Sequence, residues 1–210
     1  VEVPIPKQDR FEERYTPIPS QPLAKYYYGN KTKKLDQIDI APGDWGVSSW
    51  IDKHLTKHIQ PVLLRSPEVL IEAPWDQSTD IWNLGAVLPE NFRAIRLFSG
   101  QVPPGEQYKL RSHLAEIVAA SGPFPKELLE KSNVEIVQSM FDDERKIKDL
   151  GWNVEYPAFS SEELFPGLEQ KTREVFGSLL STMLKVDPVE RPTAEQLLGH
   201  PWFDSDLQLA

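Results

Sequence analysis

Asp44-Trp45-Gly46, Leu64-Arg65-Ser66-Pro67-Glu68 and Asp80-Ile81-Trp82-Asn83-Leu84-Gly85 follow one another in a single stretch of this chain. They set an acid in a glycine-flanked turn, a polar loop, an anchoring Pro-Glu and the start of an apolar helix in series. Ser78 or Thr79 is the expected N-cap of that helix, and Asp80 complements its positive end. Ile81, Trp82, Leu84, Ala86, Val87 and Leu88 are apolar on almost every face, the pattern of a helix enclosed by others. Pro89 lacks the amide that would bond to Gly85, at a cost of about 3 kcal/mol in a straight helix. A kink or stop is therefore expected at Pro89, with a short continuation to about Leu97.

Upstream, residues 1–22 carry Pro4, Pro6, Pro17, Pro19 and Pro22 among charges, which predicts an extended arm or linker. Tyr26-Tyr27-Tyr28 leads into a Gly29-Asn30 turn, and Ile38 and Ile40 share one face beyond it. This predicts a short β-hairpin near the start of the chain. Lys31, Lys33 and Lys34 beside the tyrosines suggest stacking on RNA, but a solvated hairpin tip accounts for them more simply.

Downstream, Leu110, Leu114, Ile117 and Val118 mark one stripe of a helix ended by Gly122-Pro123, and Pro125 opens a short helix carrying Leu128 and Leu129. From Ser132 to Gly167 the pattern is irregular, as expected of an insert on a compact scaffold. Val175, Phe176, Leu179, Leu180, Met183 and Leu184 then recur four apart, predicting an amphipathic helix stopped by Asp187-Pro188. Thr193 and Gln196 have capping-box spacing. Leu197 and Leu198 are expected to face inward, and Gly199 occupies a C-cap position. The expected fold class is mainly α, with β structure confined to the early hairpin.

The whole chain has 210 residues, 40% hydrophobic and 26% charged, enough to bury a core. No apolar run approaches the roughly 18 residues of a membrane helix, so no membrane partner is expected. The absence of cysteine excludes disulfides and thiolate metal sites and suits a reducing, intracellular setting, cytoplasm or nucleus. A net charge of −9 opposes direct nucleic-acid binding and favours basic partners, although solubility explains the same acidity. The first residue is Val1, which suggests a piece of a longer product. His54 and His58 are four apart, but Leu55-Thr56-Lys57 between them supplies no base and a repelling cation, against a zinc site. No Gly-x-Ser-x-Gly elbow is present. Asp142-Asp143-Glu144 lacks the glycine and spaced oxygens of a calcium loop, which leaves a solvated face.

The ordered motifs, joined by Asp187-Pro188-x-x-Arg191-Pro192, resemble the C-terminal lobe of a eukaryotic protein kinase. The SR-protein kinases, especially their fungal members, are the branch the chain resembles most. The residues that carry this are Asp44-Trp45-Gly46-Val47-Ser48-Ser49-Trp50, Ile59-Gln60, Arg65-Ser66-Pro67-Glu68-Val69-Leu70, Ala73-Pro74-Trp75-Asp76 and Gly122-Pro123-Phe124-Pro125. Likeness runs from about Leu35 to Phe203. It makes residues 1–34 an arm or linker with the hairpin start, 35–203 a partial kinase domain and 204–210 a tail.

The resemblance implies a magnesium ligand at Asp44, followed by Gly46, with ATP and Mg as cofactors of the full-length kinase. It implies a Glu68–Arg191 pair tying the end of an activation segment to the helical lobe. Asp80 would accept backbone amides from the catalytic loop, on the buried helix that also carries Trp82. Arg65 takes the place of the arginine that precedes Pro-Glu in the wider group, and residues 132–167 that of its typical insert. A protein substrate, Arg/Ser-rich in this family, and an N-terminal lobe would be the partners.

A Gly-rich phosphate loop, a lysine–glutamate pair and a His-Arg-Asp loop with its asparagine are not found in the sequence. No residue is therefore assigned to catalysis or nucleotide binding, and this chain alone is expected to hold ATP poorly and transfer no phosphate. Pro61 and Leu64 stand where the family usually has threonine and tyrosine, and Trp45 where it has leucine or phenylalanine. The missing motifs, together with Pro61, Leu64 and the helix-interrupting Pro89, support an alternative, a degenerate kinase-like module that only binds proteins. A helical interaction domain unrelated to kinases would require the Glu68–Arg191 pair not to form. Loss of the catalytic loop would leave Asp80 a buried acceptor without donors, at about 1–3 kcal/mol, which predicts low stability.

Overall fold

The structure, a computed structural model, describes residues 43, 48–101, 105, 107–151 and 153–203. Apart from Gly43, these belong to the unit that runs from Trp45 to Ala210. The expected hairpin, the proline-rich arm and the C-terminal tail lie outside the described residues. Within them the order is α1 (Pro67–Leu70), α2 (Ser78–Arg93), α3 (Leu110–Ser121), α4 (Lys126–Glu130), α5 (Val134–Met140), α6 (Gln170–Met183) and α7 (Ala194–Leu197). Short 3-10 turns occupy Val62–Leu64, Pro188–Glu190 and Pro201–Phe203. Pairing of the β kind among the described residues is limited to isolated antiparallel bridges, Trp50 to Lys53 and Phe141 to Ile147.

Helix α2 is the internal post. Trp82 and Ala86 are buried on it, and Gly85 meets α6 and the residue after it so closely that an added Cβ would stand 3.0 Å from Met183 Cβ and 3.1 Å from a Leu184 methyl. The apolar stripe of α6, Phe176, Leu179, Leu180 and Met183, faces this contact. An aromatic cluster continues the core: Phe176 lies 5.2 Å from Phe92, 5.2 Å from Phe165 and 4.7 Å from Trp202, centroid to centroid.

Three local expectations are corrected. The stop, one of the two outcomes expected at Pro89, does not occur, and α2 runs through that residue to Arg93. Pro89 is buried in the helix, so tertiary packing offsets the lost amide bond. The helix ends instead at Ala94, in left-handed conformation (φ 57°), whose N–H donates to the Glu90 carbonyl while Ile95 N–H donates to Pro89 O. Leu97 therefore lies beyond the helix, although it is buried. At the other end neither Ser78 nor Thr79 is the cap: the Asp76 carboxylate accepts the Ser78 N–H at 2.8 Å in an Asx-type turn. In α7 the Thr193–Gln196 capping box forms, but only Leu197 is buried and Leu198 is 73% exposed. A helix of one turn turns adjacent residues in different directions.

The irregular stretch 132–167 holds α5, capped by Asn133, whose side chain accepts the Glu135 and Ile136 N–H groups. It also delivers Phe141, Phe159 and Phe165 to the core. No helix among the described residues is long and apolar enough to cross a membrane.

Candidate functional site

Residues 59–66 form a loop clipped to the N-terminal end of α2. Gln60, at φ 66°, reaches both ways: its Nε2 donates 2.8 Å to the Thr79 carbonyl and its Oε1 accepts the Ser66 N–H at 2.9 Å. A non-glycine residue in this backbone region is strained by about 1 kcal/mol or more and persists where its surroundings hold it. Arg65 closes the loop from inside, Nε to the Ile59 carbonyl at 3.0 Å and Nη2 to the Gln60 carbonyl at 3.1 Å. Asn83, on α2, donates to the Leu64 carbonyl at 3.3 Å. Pro61 starts the 3-10 turn and accepts the Leu64 N–H at 2.9 Å. Sequence reasoning did not single out the Gln60 clamp, because nothing in periodicity or charge marks a glutamine that reaches 19 residues ahead.

Immediately after the loop, Glu68 on α1 meets Arg191. Arg191 Nη1 donates to Glu68 Oε1 at 2.6 Å and Nη2 to Oε2 at 2.7 Å, with both side chains fully buried. The remaining guanidinium hydrogens go to the carbonyls of Ser78, Lys185 and Val186. All five donors are thus used, the condition under which a desolvated guanidinium is tolerated. The guanidinium carbon also lies 5.2 Å from the centre of the Trp82 ring, in cation–π range. Trp82 in turn stacks on Phe98 at 5.7 Å. Its indole Nε1 has no hydrogen-bond partner among the described residues.

Asp80 differs from its expected setting. It is exposed rather than buried, so the penalty foreseen for an unpaired interior acceptor does not arise. Desolvation by the adjoining surface still raises its carboxyl above the ordinary value. Asp44 and Gly46 lie outside the described residues. No group of three or more His, Asp or Glu side chains converges among the described residues in a way that could hold a metal. The described residues thus offer no cluster of three or more such side chains that fits a magnesium ion.

Behind the loop, α3 carries a second polar cluster. Glu116, buried on α3, accepts from Ser99 N–H at 2.8 Å, Ser99 Oγ at 2.7 Å and Gly100 N–H at 2.9 Å, which fixes the chain leaving α2. Gly100 has φ 62°, and the Tyr108 ring packs where a Cβ would stand. Tyr108 Oη is 3.3 Å from His113 Nδ1, and His113 is fully buried, its Nε2 without a hydrogen-bond partner among the described residues. Burial first, and the nearby Arg65 cation second, lower the His113 pKa to about 4, so the ring is neutral at pH 7. Burial and the Glu116 charge hold the Tyr156 phenol well above its usual range, and its hydroxyl donates to the Leu97 carbonyl at 2.7 Å.

The protein kinase domain family matches residues 33–203. A serine/threonine protein kinase of Aspergillus fumigatus is 33% identical over 160 residues, covering 76% of this chain and 39% of that protein. Serine/threonine-protein kinase SKY1 of Saccharomyces cerevisiae is 32% identical over 183 residues, covering 85% of this chain and 23% of that protein. A solved crystal structure of a kinase domain superposes with a TM-score of 0.57 at 25% identity, over 77% of this chain and 46% of that one. The chain therefore spans less than half the length of these relatives.

Proposed function

The chain belongs to the protein kinase domain family, and from that premise we propose that it is the helical C-terminal lobe of a serine/threonine kinase of the SR-protein kinase type. The observation that supports this most is the buried, bidentate Glu68–Arg191 pair, which ties the loop 59–66 to the last third of the chain. In this reading the loop, braced by Gln60 and Arg65, is the platform on which a protein substrate is laid, and Arg/Ser-rich proteins are the substrate class. The net charge of −9 attracts such basic segments. Asp44 is the magnesium ligand, Gly46 gives it its turn, and Asp80 is the acceptor awaiting the catalytic loop. ATP is the phosphoryl donor of the full-length product, which acts inside the cell. Bound Mg-ATP supplies the transferred phosphoryl group; the loop and its braces orient the acceptor protein. The 210 residues alone, without a Gly-rich loop, strand lysine or catalytic base in their sequence, bind nucleotide weakly and transfer no phosphate.

The alternative, a kinase-like scaffold that only binds proteins, draws on Pro61, which begins its 3-10 turn with no hydroxyl to offer a catalytic aspartate. Incubation with Mg-ATP and an Arg-Ser peptide separates the readings. The full-length gene product is expected to phosphorylate serine and to lose this with Asp44→Ala, while the 210-residue chain remains silent. Phosphate incorporation by the chain alone would overturn its inactivity. A full-length product with neither transfer nor an ATP-dependent thermal shift would leave the scaffold.

A further inference from the structure

Ala73-Pro74-Trp75 has no part in the positioning loop, yet it forms one wall of an open cleft. His54, from the exposed segment before the loop, lies flat on Trp75 with ring centroids 3.7 Å apart and planes 4° apart. Lys57, Glu72 and Lys131 complete the lining of a space of about 270 Å³. Lys57 and Lys131 are both exposed, and neither ammonium meets an acceptor among the described residues. Glu72 is already engaged: Asn133 Nδ2 donates to its carboxylate at 2.9 Å, and Asn133 N–H anchors to the Ile71 carbonyl at 3.0 Å. Glu72 also sits at φ 53°, so this wall is held in a fixed, unusual backbone conformation.

Two ammonium groups against the single Glu72 carboxylate leave the lining of this concavity net positive, in a chain whose net charge is −9. Such a pair suits a compact dianion, which takes charge-assisted hydrogen bonds from both lysines. The cleft is smaller than the ~300 Å³ lower end of ordinary small-molecule pockets, room for a phosphorylated side chain rather than a nucleotide. The surrounding acidity repels a polyanion such as nucleic acid. The His54–Trp75 stack offers an adjoining flat, apolar surface to the residues on either side of the phosphate.

We propose that this cleft binds a peptide segment bearing phosphoserine or phosphothreonine, with the phosphate between Lys57 and Lys131 and the flanking residues against the His54–Trp75 stack. The site stands whether or not the chain is part of an active kinase. Fluorescence anisotropy with a labelled phosphoserine peptide, its unphosphorylated twin and inorganic phosphate as competitor tests it on the 210-residue chain. The phosphopeptide binds at least about tenfold more tightly than its twin. The Lys57→Gln/Lys131→Gln double variant, with an unchanged melting temperature because both side chains are exposed, abolishes that preference. Trp75→Leu weakens both peptides. Equal affinity for the two peptides, a preference that survives the double variant, or inorganic phosphate competing as well as the phosphopeptide each overturns the assignment.

Discussion

Replacing Glu68 by glutamine keeps the side chain's shape and removes its charge, the sharpest perturbation of the Glu68–Arg191 tie. Arg191 would retain the carbonyls of Ser78, Lys185 and Val186. One of its two nitrogens facing Glu68 would then meet an amide donor instead of an acceptor, and the buried cation would have no counter-charge. Removing one partner of a buried ion pair typically costs about 3–5 kcal/mol. Against a total stability on the order of 5–15 kcal/mol, that is a large fraction. For a domain of this size it lowers the melting temperature on the order of 10 °C. Urea unfolding followed by tryptophan fluorescence reports it directly, since Trp82 lies under the guanidinium. Arg191→Met should cost a comparable amount, because it strands the Glu68 carboxylate and three carbonyls. Arg191→Lys should recover only part of it, having a charge but no planar fork. The double variant Glu68→Gln/Arg191→Met should lose less than the sum of the singles, as it leaves no uncompensated ion. A loss below about 1 kcal/mol for Glu68→Gln, or strict additivity in the cycle, would refute the claim that this buried pair holds the lobe together.

Two further perturbations read other parts of the fold. His113 has its pKa lowered to about 4 in the folded chain against an ordinary value of 6.5. The unfolded state therefore binds its proton first on acidification: the stability contribution is fully present above pH 6.5 and is lost as pH falls towards 4. The linkage amounts to about 2 kcal/mol between pH 7.5 and 5. Urea titrations at several pH values should show this slope, and His113→Gln should remove that component of it. Gly177, within α6, tests packing against propensity, because Ala is favoured by about 1 kcal/mol in a helix interior. An added Cβ there would stand 2.7 Å from Ser160 N and 2.8 Å from the Phe159 carbonyl oxygen, both backbone atoms. Overpacking at about 1–3 kcal/mol or more outweighs the helical gain. Gly177→Ala should lower the melting temperature, and a stabilised variant would contradict the close contact.

Much of the helical lobe was legible without coordinates because its signals are local. The four-apart spacing of Phe176, Leu179, Leu180 and Met183 predicts α6, and the Thr193–Gln196 spacing predicts a capping box that forms as two reciprocal bonds. Gly122-Pro123 ends α3, with Gly122 at its C-cap. Each rests on a repeat or a hydrogen bond within about one turn of chain, so the residues involved carry the whole cause. Pro89 and Leu198 misled for the complementary reason. Pro89 is a helix breaker by local chemistry, but its burial against the core outweighs that, and Leu198 follows an apolar pattern on a helix too short to repeat it.

The candidate site was decided at longer range. The motif order named Glu68, Arg191, Arg65, Asp80 and Trp82 through a family resemblance, while their surroundings came from tertiary contacts. Glu68 and Arg191 are 123 residues apart, and only folding removes both from water and makes each the other's sole counter-charge. The Gln60 clamp, the neutral buried His113 and the exposed setting of Asp80 have no counterpart in periodicity, composition or spacing. Chain-local propensities act over a turn of helix, whereas the fate of a polar group depends on how far the assembled fold strips its water and which partners it supplies. By itself the sequence determined α3 with its Gly122 stop, the stripe of α6, the α7 capping box and the kinase-like order of motifs. Only the tertiary structure decided which polar side chains are buried, which are paired, and which remain at the surface.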